Sequence, residues 1–448
     1  MTTNSMVAPA FSLFAALSTV LPAATGASDP APGGLPRRAD WGFALRPLPD
    51  GTAEVRGARP GPAVQAGLRD GDRVVRIDGV APLDKRTIAR VRRAHPAGER
   101  VSVEVERGGH ARALRFTLPP LPLERVAGCE VQYGAVATPG GRVRTIVTRP
   151  SGARGPLRTL VFIPWLSDDP VERPIGVPDG WLLLLHGLAR HGWQVVRIEK
   201  PGVGDSEGRP CGENDLATDV AAFRAGIAAI RARKDVDLDR IVYFGGSIGA
   251  DLAPLLAEEA RPAALVLSGG FARGWREHML EFEGRRLALE GVPGDSIDRA
   301  LAGFADFYAL FLGERLTPAE ALARRPDLKS LWYDAPDGQF GRPAAYFQQV
   351  AALRPDELFA HIDVPTLILH GEYDWIMSRA DHERMAALVN ARHPGLATFE
   401  ALPQTGHDLV RFASFAASYR GSDPRFDPAL IERVARWLDA RVKSPTAP

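Results

Sequence analysis

The sequence predicts an α/β fold, a mostly parallel sheet covered by helices on both faces, preceded by a small α+β domain. Short apolar runs at residues 160–163, 194–198, 240–244 and 366–369 alternate with segments of helical period, the pattern of parallel strands joined by crossover helices. One of those runs turns directly into a helical segment at a glycine-flanked serine, Gly245-Gly246-Ser247-Ile248-Gly249. Ahead of all this, Gly67, Gly71 and Gly79 punctuate residues 40–118 as turn formers. With 448 residues, 45% of them hydrophobic, the chain can bury two cores.

At the amino terminus, residues 6–21 (MVAPAFSLFAALSTVL) are apolar and small residues follow to Ala27. This predicts a signal peptide over residues 1–27 and a linker over 28–36, the run being too short for an ordinary membrane-spanning helix. Residues 1–5 lack the usual lysine or arginine. The expected location is periplasmic or secreted, with cytoplasmic as the alternative and no membrane segment left after processing. After export, Cys129 and Cys211 could pair, closing a loop worth about 4 kcal/mol in the chain-entropy model; otherwise both are thiols. A net charge of +1 gives no broad reason to bind nucleic acid, and Arg37-Arg38 and Arg92-Arg93 read as solvated surface charge. No repeat and no metal-ligand spacing stand out, so neither cofactor nor metal is expected.

The next segment, residues 37–120, contains Asp40-Trp41-Gly42-Phe43 and the run AGLRDGDRVVRIDG at 66–79. These residues resemble a PDZ domain. The resemblance implies that the Trp41, Gly42 and Phe43 loop points amides at a peptide C-terminal carboxylate while the peptide adds a strand beside it. It further implies a groove helix at 87–94 and closing strands at 101–105 and 113–118. A packing module that holds no peptide is the alternative.

In the larger domain, 160–163 reads as a strand, Asp179 as the cap of a helix over 181–190 with Gly192 in its final turn, and 194–198 as the returning strand. Asn214 or Asp215 opens a helix to about 233. Residues 240–244 (RIVYF) and the helical pattern 248–259 then bracket Ser247. A strand that turns within one residue into a helix strains the serine backbone and requires glycines two positions either side. A second match, Gly204-Asp205-Ser206-Glu207-Gly208, follows Pro201 and precedes Pro210, so it lacks the strand-turn-helix setting.

A serine hydroxyl needs a positioned base, and the base needs a carboxylate to hold its tautomer. Asp374 follows the strand at 366–369 and His407 follows a strand at 397–402. Glu372 and Asp381 are rival acids. Among rival bases, His370 reads as a strand-end structural residue, His382 as a solvated residue on a helix over 379–389, and His393 as part of a turn before Pro394. The order Ser247, Asp374, His407, together with Pro201-Gly202-Val203-Gly204-Asp205-Ser206 after the strand at 194–198, resembles the α/β-hydrolases over residues 123–442.

That resemblance implies an oxyanion hole from the N–H of Ile248 and a second N–H from Trp165 or Leu166; Trp165 reads equally as an aromatic wall. His186-Gly187 lies within a helix, so its amides are committed elsewhere. It also implies a helical lid at about 271–362, with Trp275, Phe307, Trp332, Tyr333 and Phe347 as wall candidates, although such aromatics more often pack a core. The expected activity is cleavage of a carboxylic ester through an acyl-enzyme. Alternatives are an exopeptidase-like serine peptidase related to the prolyl oligopeptidases and a non-catalytic peptide binder. The expected partners are a small-molecule ester or peptide-like substrate and, at the amino-terminal domain, a peptide C-terminus.

Overall fold

The computed structural model describes residues 34–176 and 179–442; the apolar run at 6–21 lies outside them. The chain divides near residue 124 into two compact units.

The smaller unit is a five-stranded antiparallel sheet in the order β1-β2-β3-β4-β5, formed by β1 (Ala44–Pro47), β2 (Ala53–Arg56), β3 (Arg73–Ile77), β4 (Arg100–Arg107) and β5 (His110–Thr117), with helices α1 (Pro62–Gln65) and α2 (Lys85–Ala94). In β4, Val101, Val103 and Val105 are buried while Ser102 and Glu104 are not, the two-residue alternation of a strand with one face on a core. The Asp84 carboxylate accepts from Thr87 N at 2.6 Å and caps α2. Two of the arginines expected in solvent are tied down instead. Arg37 is buried and donates to the carbonyls of Leu121 and Pro122 at 2.8 and 2.7 Å, and Arg92 reaches from α2 to the Phe43 carbonyl at 2.8 Å. Guanidinium groups satisfy main-chain acceptors while burying their stems.

The larger unit is built on β6 (Cys129–Thr138), β7 (Gly141–Pro150), β8 (Leu157–Ile163), α3 (Gly180–Arg190), β9 (Gln194–Ile198), α4 (Leu216–Arg231), β10 (Val236–Gly246), α5 (Gly249–Glu259) and β11 (Ala264–Ser268). An insertion follows, with α6 (Trp275–Leu289), α7 (Gly294–Tyr308), α8 (Pro318–Arg324), the short strands β12 (Gly338–Gln339) and β13 (Arg342–Pro343), α9 (Ala344–Ala351) and α10 (Pro355–Ala360). The unit closes with β14 (Thr366–Gly371), α11 (Arg379–Arg392), β15 (Ala397–Leu402), α12 (Phe415–Arg420) and α13 (Ala429–Arg441).

Eight strands form one sheet, ordered β15-β14-β11-β10-β8-β9-β7-β6. The pairs from β15 through to β9 are parallel; β7 is antiparallel to both β9 and β6. The central strands are apolar without alternation because helices cover both faces: residues 160–163 and 241–244 are fully buried. Asp179 and Asp215 cap α3 and α4 by accepting from Leu182 N at 2.9 Å and Thr218 N at 3.0 Å.

The wall candidates of the insertion belong largely to its own core. Trp275, Phe307 and Phe347 are buried; Phe307 stacks on Trp332 at 4.5 Å between ring centroids and Trp275 on Phe347 at 5.4 Å. Cys129 in β6 and Cys211 are free thiols. No helix among the described residues is long and apolar enough to cross a membrane.

Candidate active site

The carboxyl ends of the parallel strands carry the predicted chemistry, since each strand there hands its chain to a loop. Ser247 follows β10 with φ 57, a left-handed conformation that costs a side-chain-bearing residue about 1–3 kcal/mol. Its N–H donates to the Ser268 carbonyl at 2.8 Å, which anchors the turn to the neighbouring strand β11. The flanking glycines are needed for close approach: a Cβ on Gly245 would overlap the Gly249 carbonyl, and a Cβ on Gly249 would overlap the carbonyl of Ile163. Ile248 precedes the first residue of α5, so its N–H lies where helix amides lack intrahelical acceptors and the dipole is positive.

Asp374, after β14, and His407, after β15, meet across adjacent strands. The Asp374 Oδ2 lies 2.8 Å from His407 Nδ1, and Oδ1 accepts from the N–H groups of Ile376 and Met377 at 2.9 and 2.8 Å. Burial raises the Asp374 carboxyl, but the His407 charge and these hydrogen bonds outweigh it and hold the group well below the ordinary carboxylate range. For His407 burial acts downward, and the Asp374 carboxylate reverses it, leaving the imidazole above its ordinary value. Gly269 supplies the link to the serine. A Cβ there would sit 2.8 Å from Cε1 of His407 and 3.3 Å from Cα of Ser247, so the imidazole ring and the serine backbone both border the space that a Gly269 side chain would fill.

The rivals are occupied. Asp381 is buried, pairs with Arg273 at 2.8 Å and accepts from the Ser378 hydroxyl at 2.8 Å. Glu372 accepts from Gln404 N at 3.2 Å. Ser206 is buried with its hydroxyl accepting from Arg144 N at 2.9 Å. His382 corrects the expectation of a solvated side chain: it is fully buried, its Nε2 accepts from Gly269 N at 3.0 Å, and its Nδ1 lies 2.8 Å from the Ser378 carbonyl. The residue sits on the inner face of α11, and sequence alone offered no signal for that because α11 has charged residues on most sides. His370 is also buried, with its ring 4.6 Å from that of His382.

In the loop after β8, Trp165 packs edge-on against Phe162 at 5.7 Å, and its indole N–H donates to the Asp169 carbonyl at 3.0 Å. His186 and Gly187 lie inside α3, where Ile431 of α13 fills the space a Gly187 side chain would need.

In the smaller unit, Trp41 and Phe43 are buried. The N–H of Gly42 donates to Asp40 Oδ1 at 2.9 Å, and that carboxylate also pairs with Arg59 at 2.5 Å. The Arg92 guanidinium stands 5.8 Å from the centre of the Trp41 ring. An anion therefore already occupies one of the amides expected to meet a peptide carboxylate, and it comes from the chain itself.

Comparison with known proteins adds the following. The alpha/beta hydrolase fold family matches residues 175–412, more than half of the chain, and the PDZ domain family matches residues 42–118. An uncharacterized protein of Mycobacterium tuberculosis is 37% identical over 154 residues, 32% of this chain and 52% of that protein; the chain thus spans about half the length of this curated relative. Esterase EstD of Thermotoga maritima is 22% identical over 298 residues, covering 65% of this chain and 64% of the esterase. Among solved structures, Est1E from Butyrivibrio proteoclasticus with ferulic acid bound aligns with a TM-score of 0.46 and 15% identity, over 69% of this chain and 98% of its own.

Proposed function

The chain belongs to the alpha/beta hydrolase fold family, and on that premise we propose that it is a serine hydrolase that cleaves a carboxylic ester through an acyl-enzyme. The observation that carries the reading is the His407–Asp374 hydrogen bond at 2.8 Å beside the strained Ser247. In this mechanism His407 takes the Ser247 proton through Nε2 as the hydroxyl attacks the ester carbonyl. Asp374 holds the proton on Nδ1, orients the ring and stabilises the imidazolium that forms. The Ile248 N–H and a second amide from the loop after β8 stabilise the tetrahedral oxyanion. His407 then protonates the departing alkoxide, and a water activated by the same imidazole releases the acid. Ester is favoured over amide because a relative of this chain is an esterase. The amino-terminal PDZ domain fits recognition of a peptide tail, with the Asp40 carboxylate as its internal competitor at Gly42.

Fluorophosphonate labelling of the folded chain, followed by identification of the modified peptide, tests the nucleophile. Modification at Ser247 is expected, with loss of labelling in Ser247→Ala and a fall in turnover of about a million-fold. Labelling elsewhere, or unchanged turnover in the variant, contradicts the assignment. A panel of short acyl esters beside aminoacyl amides separates the esterase from a peptidase: faster turnover of the amides would favour the second.

A further inference from the structure

Two buried cations close on one short loop. Lys200, which follows β9, and Arg342, in β13 of the insertion, are each 1% exposed. The Lys200 ammonium donates to the Trp165 carbonyl at 2.8 Å and to the Ser167 carbonyl. Arg342 Nε donates to the Leu166 carbonyl at 3.0 Å, between those two. The rest of its guanidinium is held by the Cys211 carbonyl at 3.0 Å and by Asp219 at 2.5 Å, with the Tyr346 ring beneath it at 4.6 Å. Three consecutive carbonyls of the loop after β8 are thus gripped by full positive charges. Burying an ammonium is costly, and here burial draws the Lys200 group below its ordinary value. A loop that needed only to be covered would be served by apolar packing.

The planar trans peptide translates this grip into directions. Within one peptide unit the C=O and the following N–H point opposite ways. Holding the Trp165 carbonyl against Lys200 turns the Leu166 N–H away from Lys200; holding the Leu166 carbonyl against Arg342 does the same for the Ser167 N–H. The loop also starts beside the nucleophile. Ile163 pairs with Gly245, and the carbonyls of Ile163 and Pro164 stand where a Gly249 side chain would be. The Pro164 carbonyl faces Gly249 of α5, so the Trp165 N–H in the same peptide unit points away from Gly249, and the next amide along the loop is that of Leu166.

Resting on the reading of Ser247 as the nucleophile, we propose that Lys200 and Arg342 are positioning residues that aim the Leu166 N–H at the oxyanion of the tetrahedral intermediate. Neither touches substrate. Arg342 also makes the loop's geometry depend on the insertion that carries it, so the seating of β13 and completion of the oxyanion hole are one event.

The test uses the full chain, a short acyl ester, and a trifluoromethyl ketone that forms a tetrahedral oxyanion on the serine. Lys200→Met is expected to lower kcat about 100-fold with KM nearly unchanged, the scale of losing one oxyanion donor, and to weaken the ketone in the same proportion. Arg342→Lys keeps a charge for Asp219 but shortens the reach to Leu166, and it should show the same split at about 10-fold. Active-site titration with fluorophosphonate normalises each rate to folded enzyme; if Lys200→Met does not fold, Arg342→Lys decides. Unchanged kcat per active site, or a loss of kcat with ketone affinity intact, overturns the proposal alone. Failure of the native chain to label at Ser247 overturns it together with the reading beneath it.

Discussion

Gly269 leaves open a point 2.8 Å from Cε1 of His407, and its amide donates to the buried His382 at 3.0 Å. The glycine at the end of β11 is therefore held from behind by one histidine while it makes room for another. Its φ of 80 adds a conformational requirement that a side chain resists. Gly269→Ala should displace the His407 ring, and misplacement by about an ångström can cost 100-fold in rate. The expected result is a fall of that order in kcat with circular dichroism unchanged; full activity would show that the ring has slack.

The pH profile follows from the Asp374–His407 pair. His407 must be neutral to accept the serine proton. Burial lowers its pKa and the Asp374 carboxylate more than offsets this, so the group titrates above its ordinary value of 6.5. Activity should rise with pH through one ionisation whose midpoint in kcat/KM lies above pH 6.5. Stability runs the other way: a raised folded pKa stabilises the protein fully below pH 6.5, and the contribution disappears as pH climbs through the folded value. An acid limb centred below 6.5 would contradict the coupling.

Asp374→Asn keeps the shape of the side chain and removes the charge that selects the tautomer. Turnover is expected to fall about ten-thousand-fold, on the scale of other serine triads. The same change should move the remaining acid limb downward, because burial of His407 is then unopposed. Loss of activity with an unmoved limb would mean that Asp374 acts only through packing.

Acid should unfold the larger unit early. Burial pushes His278 and His370 down to about 4 and lowers His382 as well. The unfolded chain takes up these protons near pH 6.5, the folded chain only far below. Their contribution is therefore complete above pH 6.5 and is lost as pH falls toward 4. His278 stacks on Phe271 at 5.7 Å, so His278→Phe preserves the packing and should make thermal stability fall less steeply between pH 7 and 4. An identical slope in the variant would exclude His278 as a contributor.

Much of the architecture was legible because its signals are local. The runs at 160–163 and 240–244 read as buried strands from their apolar continuity, and Asp179 and Asp215 read as caps because a carboxylate can reach amides three residues on. That Asp374 and His407 each follow a strand was also legible; that those strands, β14 and β15, lie side by side in parallel came from the sheet itself. His382 was misread because its burial comes from the elements packed on α11 and not from the helix's own pattern.

Local pattern was enough to place the turns from strand to helix and to single out Ser247 over Ser206, since those depend on residues within a few positions of one another, and the order of Ser247, Asp374 and His407 is read directly along the chain. The folded chain was needed to reveal that the Asp40 carboxylate engages the Gly42 amide, that His382 braces Gly269, and that Arg342 reaches the Leu166 carbonyl across 176 positions of chain. Such contacts arise when distant segments are buried together, and a buried charge or amide must then take whichever partner the packing brings within hydrogen-bonding distance.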